Sequence, residues 1–322
     1  MLSLLFPEQM PLLAFLGTLF AFAMTCCMIN ACNHLLPIDQ GRQFAHNGDK
    51  SKGKPKGAGI IFILVYVASV LLFAPISVEI IVYLVLVTIE MLTGYFDDAS
   101  EVPWGRLKKG LLDLVVSLGV AFTYLNHNGN EIMIASLHKT VTIPTVIFVV
   151  LIVILVWASI NVTNCADGVD GLSGTLTIIT LMTVYVIISK VGAASGENVK
   201  FPILLFVVCI LGYLWYNATP SRLMMGDAGS RAMGIFIAIA VLKMGCPFLY
   251  VLVAAMLMVD GGLGLVKVSL IKLFHIHIFK NTMMPLHDHV RKSKGWSNEQ
   301  TVFRFAIIQV VISVATVYLI SL

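Results

Sequence analysis

Seven aspartates stand at or beside the ends of long apolar stretches: Asp97, Asp98, Asp167, Asp170, Asp227, Asp260 and Asp288. Converging carboxylates repel one another unless a cation holds them, so their recurrence beside apolar segments points to a divalent-metal site. Asp97 and Asp98 close the run Gly94-Tyr95-Phe96-Asp97-Asp98, and Glu90 lies two helical turns back on the same face, inside the apolar run. Asn161, Asn164, Asp167 and Asp170 follow one another at three-residue spacing. That spacing lines them along one helical stripe or around one loop with glycine hinges, and either arrangement is a binding group. Gly226-Asp227-Ala228-Gly229-Ser230 sets a carboxylate among small residues before a new apolar run, where the N–H groups of a starting helix approach phosphate.

Pro285-Leu286-His287-Asp288-His289 lies between Lys280 and Arg291-Lys292. Two histidines flanked by cations bind metal, donate protons or contact phosphate, and the absence of further His or Cys nearby in the sequence argues against zinc. Lys50, Lys52, Lys54 and Lys56 alternate ahead of Gly57-Ala58-Gly59, a pattern that suits either anionic lipid headgroups or a substrate phosphate. Oxygen ligands, lysines and histidines together fit magnesium-assisted phosphoryl transfer, in which the metal bridges phosphate oxygens and offsets the charge of the leaving group.

The elements that must position these residues follow from composition. Of 322 residues, 58% are hydrophobic and only 12% charged, and the mean hydropathy is +0.93. A soluble globule, a disordered chain and a secreted disulfide scaffold are all excluded. The net charge of +4 includes no basic run with interleaved aromatics, so no nucleic-acid partner is expected. Apolar runs near 12–33, 57–76, 78–96, 110–126, 143–161, 172–190, 201–217, 232–245, 248–272 and 301–321 predict about ten membrane helices. Only helices pair all their backbone groups in such an open arrangement, so the expectation is an all-α polytopic membrane protein, a single domain over 1–322.

If alternate loops share a side, all Lys and Arg except Lys139, Lys190, Lys200 and Lys243 fall on one side. The positive-inside rule then places both termini outside and the acids at the cytoplasmic face. With no Lys or Arg before Arg42, the first apolar run lacks the basic region of a cleaved leader and is expected to remain as a span. A phosphoryl-transfer site at the lipid interface implies a substrate carried on a lipid.

The ordered set Asp97-Asp98, Asn161 through Leu172, Gly226 through Ser230, Ile278-Phe279-Lys280, Pro285 through His289 and Gly295-Trp296-Ser297 resembles the polyprenyl-phosphate N-acetylhexosamine-1-phosphate transferases over nearly the whole chain. The Pro-Leu-His-x-His loop followed by Gly-Trp-Ser resembles the muramoyl-pentapeptide branch. That resemblance implies transfer of phospho-MurNAc-pentapeptide from UDP (the substrate UDP-MurNAc-pentapeptide) to undecaprenyl phosphate, release of UMP, a Mg2+ cofactor, a bacterial cell-membrane location and a homodimer. Residue by residue, it implies that Asp227 is the magnesium ligand and that Asp97 and Asp98 lie near the lipid phosphate, with Asp97 deprotonating or positioning it. It implies nucleotide or diphosphate contacts for Asn161, Asn164, Asp167 and Asp170, and sugar or phosphate contacts for His287 and His289. It further implies that Asn217 is a polar support for the site, and that Lys108 and Lys109 are rivals for one basic role. Met224 stands where the family often stacks an aromatic on uracil, and Asp288 replaces the middle histidine of a three-His loop. Transfer of GlcNAc-1-phosphate on the same scaffold is the nearest alternative, and an ion-coupled carrier is a more distant one.

Overall fold

The computed structural model describes residues 1–39, 41, 51–134, 139–192, 194–276, 278 and 282–321. Arg42, Lys50, Phe279 and Lys280, used above for topology and motif, lie outside the described residues.

Each expected apolar run contains a helix. In chain order these are α1 (Met10–Cys32), α2 (Gly59–Phe73), α3 (Val78–Asp98), α4 (Arg106–Asn128), α5 (Thr145–Ala166), α6 (Leu172–Val191), α7 (Ala194–Asn217) and α8 (Gly226–Lys243). A bent stretch then leads into α9 (Leu263–Phe274), followed by α10 (Leu286–Lys294) and α11 (Asn298–Ser321). Among the described residues, seven helices are long and apolar enough to cross a membrane, or eight if the bent stretch counts as one span. The chain is a mostly helical integral membrane protein.

The helices begin and end where local chemistry directs them. Ser77 caps α3 by accepting the Ile80 N–H at 3.2 Å, with Glu79 in the first turn. The bent stretch breaks by 71° between Pro247–Val253 and Ala255–Lys272, and its turn over Met258–Gly262 is π-helical. Gly261 there runs so close to α5 that a Cβ would lie 2.3 Å from the Val162 carbonyl oxygen. Wide turns of this kind are over-represented at functional sites, and this one carries Asp260.

α8 is the axis of the molecule. Every residue of it except Asp227 is buried, and α2, α3, α5, α6 and α7 all pack on it. A helix covered on all sides is the expected place for the all-round apolar sequence Ala232–Leu242. Its two ends are charged, however. At the far end Lys243 Nζ donates to both Glu79 oxygens and to Asn128 Oδ1, each at 2.8 Å, and Asn198 Nδ2 reaches Glu79 Oε2 at 3.0 Å. This buried cluster ties α8 to α3, α4 and α7.

One element departs from the all-helical expectation. β1 (Glu131–Ile134) and β2 (Lys139–Thr142) pair antiparallel between α4 and α5, with Glu131 opposite Thr142 and Ile134 opposite Lys139. The β-branched residues Ile132, Thr140, Val141 and Thr142 favour the pleat, and Met133 N–H donates to the Gly245 carbonyl at 2.9 Å, docking the hairpin beside the end of α8.

Candidate active site

Four helix ends meet at the opposite end of α8. α3 finishes with Asp97 and Asp98, α4 starts near Lys109, α5 finishes past Asn164, and α8 starts with Asp227 in its first turn. Lys109 Nζ pairs with Asp97 and lies 3.1 Å from Asp227 Oδ2. The other Asp227 oxygen accepts from Asn164 Nδ2 at 3.0 Å, and the same amide nitrogen lies 2.9 Å from Ser230 Oγ. Asp97 Oδ1 also accepts the Trp104 N–H at 2.7 Å, which folds the loop after α3 back over its end.

Asp98 points the other way. Its Oδ2 accepts the Ala228 N–H at 3.3 Å, at the start of α8 where a negative charge is favoured, and its Oδ1 lies 2.8 Å from Lys56 Nζ. Gly226 makes this approach possible: its φ is +67°, and a Cβ there would sit 2.1 Å from Asp98 Oδ2. Lys56 is held in place by its own strap. Met224 N–H donates to the Pro55 carbonyl at 2.9 Å, and Ala58 N–H to the Met224 carbonyl at 3.0 Å. Lys56 therefore takes the place facing Asp98, while Lys54 reaches Ser221 Oγ at 2.9 Å and Lys52 is exposed.

The two rival lysines separate in the same way. Lys109 faces the acids, whereas Lys108 turns away and stacks over the Trp104 ring, its Nζ 3.1 Å from the centroid. Asn161 lies deeper: its amide donates to Asp113 Oδ2 at 3.1 Å, one turn further into the bundle than Asn164. α5 runs on to Ala166, so the two asparagines lie on a helical stripe and Asp167 and Asp170 follow in the turn after it.

That turn, 167–171, is gripped from both sides. Asp167 Oδ1 accepts from Ser173 Oγ at 2.7 Å. Asn217 Oδ1 accepts the Gly171 N–H at 2.8 Å, and its amide donates to the Leu223 carbonyl at 2.9 Å, so Asn217 supports the site as a brace. On the far side, Asp260 accepts both the backbone N–H of His287 at 2.7 Å and its ring Nδ1 at 2.8 Å. A carboxylate offers only acceptors, so Nδ1 carries the hydrogen and Nε2 is left facing Gly168, where a Cβ would lie 2.2 Å from it. Arg291 pairs with Asp288 at 2.6 Å and reaches the Gly168 carbonyl at 3.4 Å. His289 Nδ1 lies near Met283 N–H at 3.3 Å and Ser293 Oγ at 3.2 Å.

The seven aspartates thus do not converge on one point. Asp97 and Asp227 share Lys109, Asp98 faces Lys56, Asp260 serves His287, and Asp288 serves Arg291, so these acids are met by separate protein donors. Among the described residues no group of three or more His, Cys, Asp or Glu is placed to hold an ion. The donor chemistry nonetheless fits magnesium: Asp97, Asp227 and Asn164 offer only oxygen ligands, and magnesium characteristically takes one or two carboxylates and completes its shell with water and phosphate oxygens.

Sequence reasoning missed three partners: Asp113, Arg231, and Asp260 as the carboxylate behind His287. Charges inside or at the edge of apolar runs are the available signal, since Arg231 follows Asp227 by one turn and Asp113 follows Lys109 by one turn.

With the geometry in place, comparison with known proteins is decisive for the family. Residues 80–245 match the profile described as glycosyl transferase family 4. The chain belongs to that family. A relative from Treponema pallidum (strain Nichols), named phospho-N-acetylmuramoyl-pentapeptide-transferase, is 37% identical over 305 residues, covering 89% of this chain and 84% of its own. A family member of the same name from Thermoanaerobacter sp. (strain X514) is 26% identical over 305 residues, 89% of this chain and 92% of its own. Another from Bartonella quintana (strain Toulouse) is 35% identical over 103 residues, 32% of this chain and 28% of its own. The family match spans α3 through α8, the stretch that supplies Asp97, Asp98, Lys109, Asn164 and Asp227.

Proposed function

We propose that this protein transfers phospho-N-acetylmuramoyl-pentapeptide from UDP to undecaprenyl phosphate, giving lipid I and UMP for peptidoglycan in a bacterial cell membrane. The observation that carries this reading is the group Asp97, Lys109, Asp227 and Asn164 at one end of the bundle, in a chain 37% identical to a relative of that name.

In the reaction, an oxygen of the lipid phosphate attacks the phosphorus next to the sugar, the bond from that phosphorus to the bridging oxygen breaks, and UMP leaves with the electron pair. We favour a single displacement, because a loosely bonded phosphoryl centre needs positioning and charge balance more than a covalent intermediate. Lys56 and Lys109, with side chains 20% and 28% exposed, present two ammonium groups to the incoming phosphates. Asp97, beside Lys109, positions or deprotonates the lipid phosphate. Asp98, only 1% exposed, holds Lys56 against the start of α8. Asp227 is the residue that would ligate magnesium, which when bound supplies charge neutralisation for the departing UMP. Asp167, Asp170 and Met224 lie on the turn and strap beside this group and serve the nucleotide, while His287 and His289 serve the sugar side.

The same reading favours ten spans: the seven long helices, the bent stretch, the shorter Gly59–Phe73 and α8, which is sheathed by protein rather than lipid. The distribution of Lys and Arg supports both termini outside and a site facing the cytoplasm. We read the chain as one membrane domain that works as a homodimer.

The test is UMP release by purified protein supplied with undecaprenyl phosphate and each candidate UDP-sugar while magnesium is titrated. Magnesium-dependent release from UDP-MurNAc-pentapeptide is expected, and Asp227→Asn should lower it on the order of a hundredfold or more. Product from UDP-GlcNAc alone would overturn the sugar assignment, and release unaffected by magnesium would overturn the metal.

A further inference from the structure

Directly behind the group just described lies a second one built from the same four helices. Glu90 on α3, Asp113 on α4, Asn161 on α5 and Arg231 on α8 sit seven, four, three and four residues further into the bundle than Asp97, Lys109, Asn164 and Asp227. The pattern of contacts repeats. In the outer group one cation, Lys109, lies between the carboxylates of Asp97 and Asp227 while an asparagine amide supports Asp227. In the inner group one cation, Arg231, lies between two carboxylates, 2.6 Å from Glu90 Oε1 and paired with Asp113, while the Asn161 amide supports Asp113 at 3.1 Å. The side chains of Arg231, Glu90 and Asp113 are 5%, 0% and 2% exposed.

Stability alone does not account for this inner group. Removing two carboxylates and a guanidinium from water costs more than well-packed apolar side chains would. The network is also incompletely paired, since Glu90 Oε2 and Arg231 Nε are buried with no hydrogen-bond partner among the described residues. A partly satisfied polar network is a poorer core than an apolar one. What it supplies is register. Helices sliding in an apolar interface keep similar packing energy, whereas sliding α8 against α3 or α4 by one residue separates Arg231 from both its partners.

We propose that Arg231, clamped by Glu90 and Asp113, is a positioning residue that sets the register of α8 against α3 and α4 and so keeps Asp227 within reach of Lys109 and Asn164. This rests on the transferase reading for its consequence in turnover, but its geometric claim is separate. Arg231 touches no substrate. It acts one helical turn away, through the backbone of α8 and through the paired spacing of Lys109 with Asp113 and Asn164 with Asn161.

The experiment compares wild-type protein, Arg231→Met and Arg231→Lys, all full length and purified in detergent, by two readouts. One is UMP release with UDP-MurNAc-pentapeptide and undecaprenyl phosphate, separated into kcat and KM. The other is the rate at which an amine-acylating reagent modifies Lys109, followed by mass spectrometry. Arg231→Met is expected to lower kcat at least about tenfold with KM for the UDP substrate within about threefold. Lys109, released from Asp227, should be acylated at least about fivefold faster, and Arg231→Lys should bring both values back to within about threefold of wild type. Wild-type kcat in Arg231→Met, a fall in kcat without faster acylation of Lys109, or a lysine variant as impaired as the methionine one would each overturn the proposal. Should Arg231→Met fail to fold, Asp113→Asn, which keeps the size of the side chain, is read in the same way: shifts in the same direction support the proposal and wild-type values overturn it. A wild-type protein that releases no UMP overturns the transferase reading instead, and Lys109 acylation alone then decides the register claim.

Discussion

Lys109 Nζ lies 3.1 Å from Asp227 Oδ2 while also pairing with Asp97, so one ammonium joins the start of α4 to the end of α3 and the start of α8. The relationship explains why acids from distant segments tolerate one another: the lysine offsets part of their charge before any ligand arrives. One cation between two carboxylates still leaves the pair net negative, which is the environment a divalent cation needs. The turn of Lys109 toward the acids and of Lys108 toward Trp104 follows from helix geometry, since neighbouring residues project about a hundred degrees apart on α4.

The two lysines should therefore differ sharply. Lys109→Met removes the shared cation and is expected to lower kcat on the order of a hundredfold. Lys108→Met loses only an exposed cation–π contact worth about 0.5–1 kcal/mol, and its turnover should stay within about twofold of wild type. Steady-state UMP release by the two variants at matched folded concentrations decides the assignment, and equal losses in both would refute it.

Much of this arrangement was legible in the sequence, for physical reasons that differ from residue to residue. Apolar length marked out the helices, because hydrocarbon admits little else. Asp97, Asp98 and Asp227 were marked by charge at the ends of apolar runs, and Asn164 by its spacing before Asp167. Partner choice was less legible. Nothing local decides among Lys52, Lys54 and Lys56 for Asp98, since that choice depends on the strap of 55–58 pairing with Met224, a contact between segments far apart in the chain. Counting acids predicts convergence of all seven aspartates but ignores the donors that fold against them: His287 for Asp260 and Arg291 for Asp288. The β1–β2 hairpin is not legible because four-residue strands carry too short a pattern to stand out between spans.

At the far end of α8 the prediction concerns stability rather than chemistry. Lys243→Met would leave Glu79 buried with its two amide donors and no cation. Removing one partner of a buried pair costs about 3–5 kcal/mol, so the unfolding temperature in detergent should drop by several degrees. Because Lys243 lies at the opposite end of α8 from Asp227, kcat per folded molecule should stay within about twofold of wild type. A variant with unchanged melting would show that Glu79 is held without the cation, by Asn128, Asn198 and the Tyr83 hydroxyl.

The pairing of Asp260 with His287 makes the most specific demand. Asp260 on the π-helical turn accepts both the backbone N–H and the ring Nδ1 of His287, which fixes the ring with Nε2 against Gly168. Asp260→Ala strands both donors in a buried place, at a cost of about 1–3 kcal/mol for each group left unpaired. His287→Ala removes the ring but leaves its backbone N–H for Asp260. If the two residues act as one unit, the double variant should lose less than the sum of the single variants, with a coupling of about 0.5–3 kcal/mol in unfolding free energy. The same non-additivity should appear in turnover, since either change frees the 167–171 turn that carries Asp167 and Asp170. Denaturant unfolding and UMP release for the two single variants and the double variant complete the cycle. Strictly additive losses in both measurements would mean that the contact holds two side chains without coupling them.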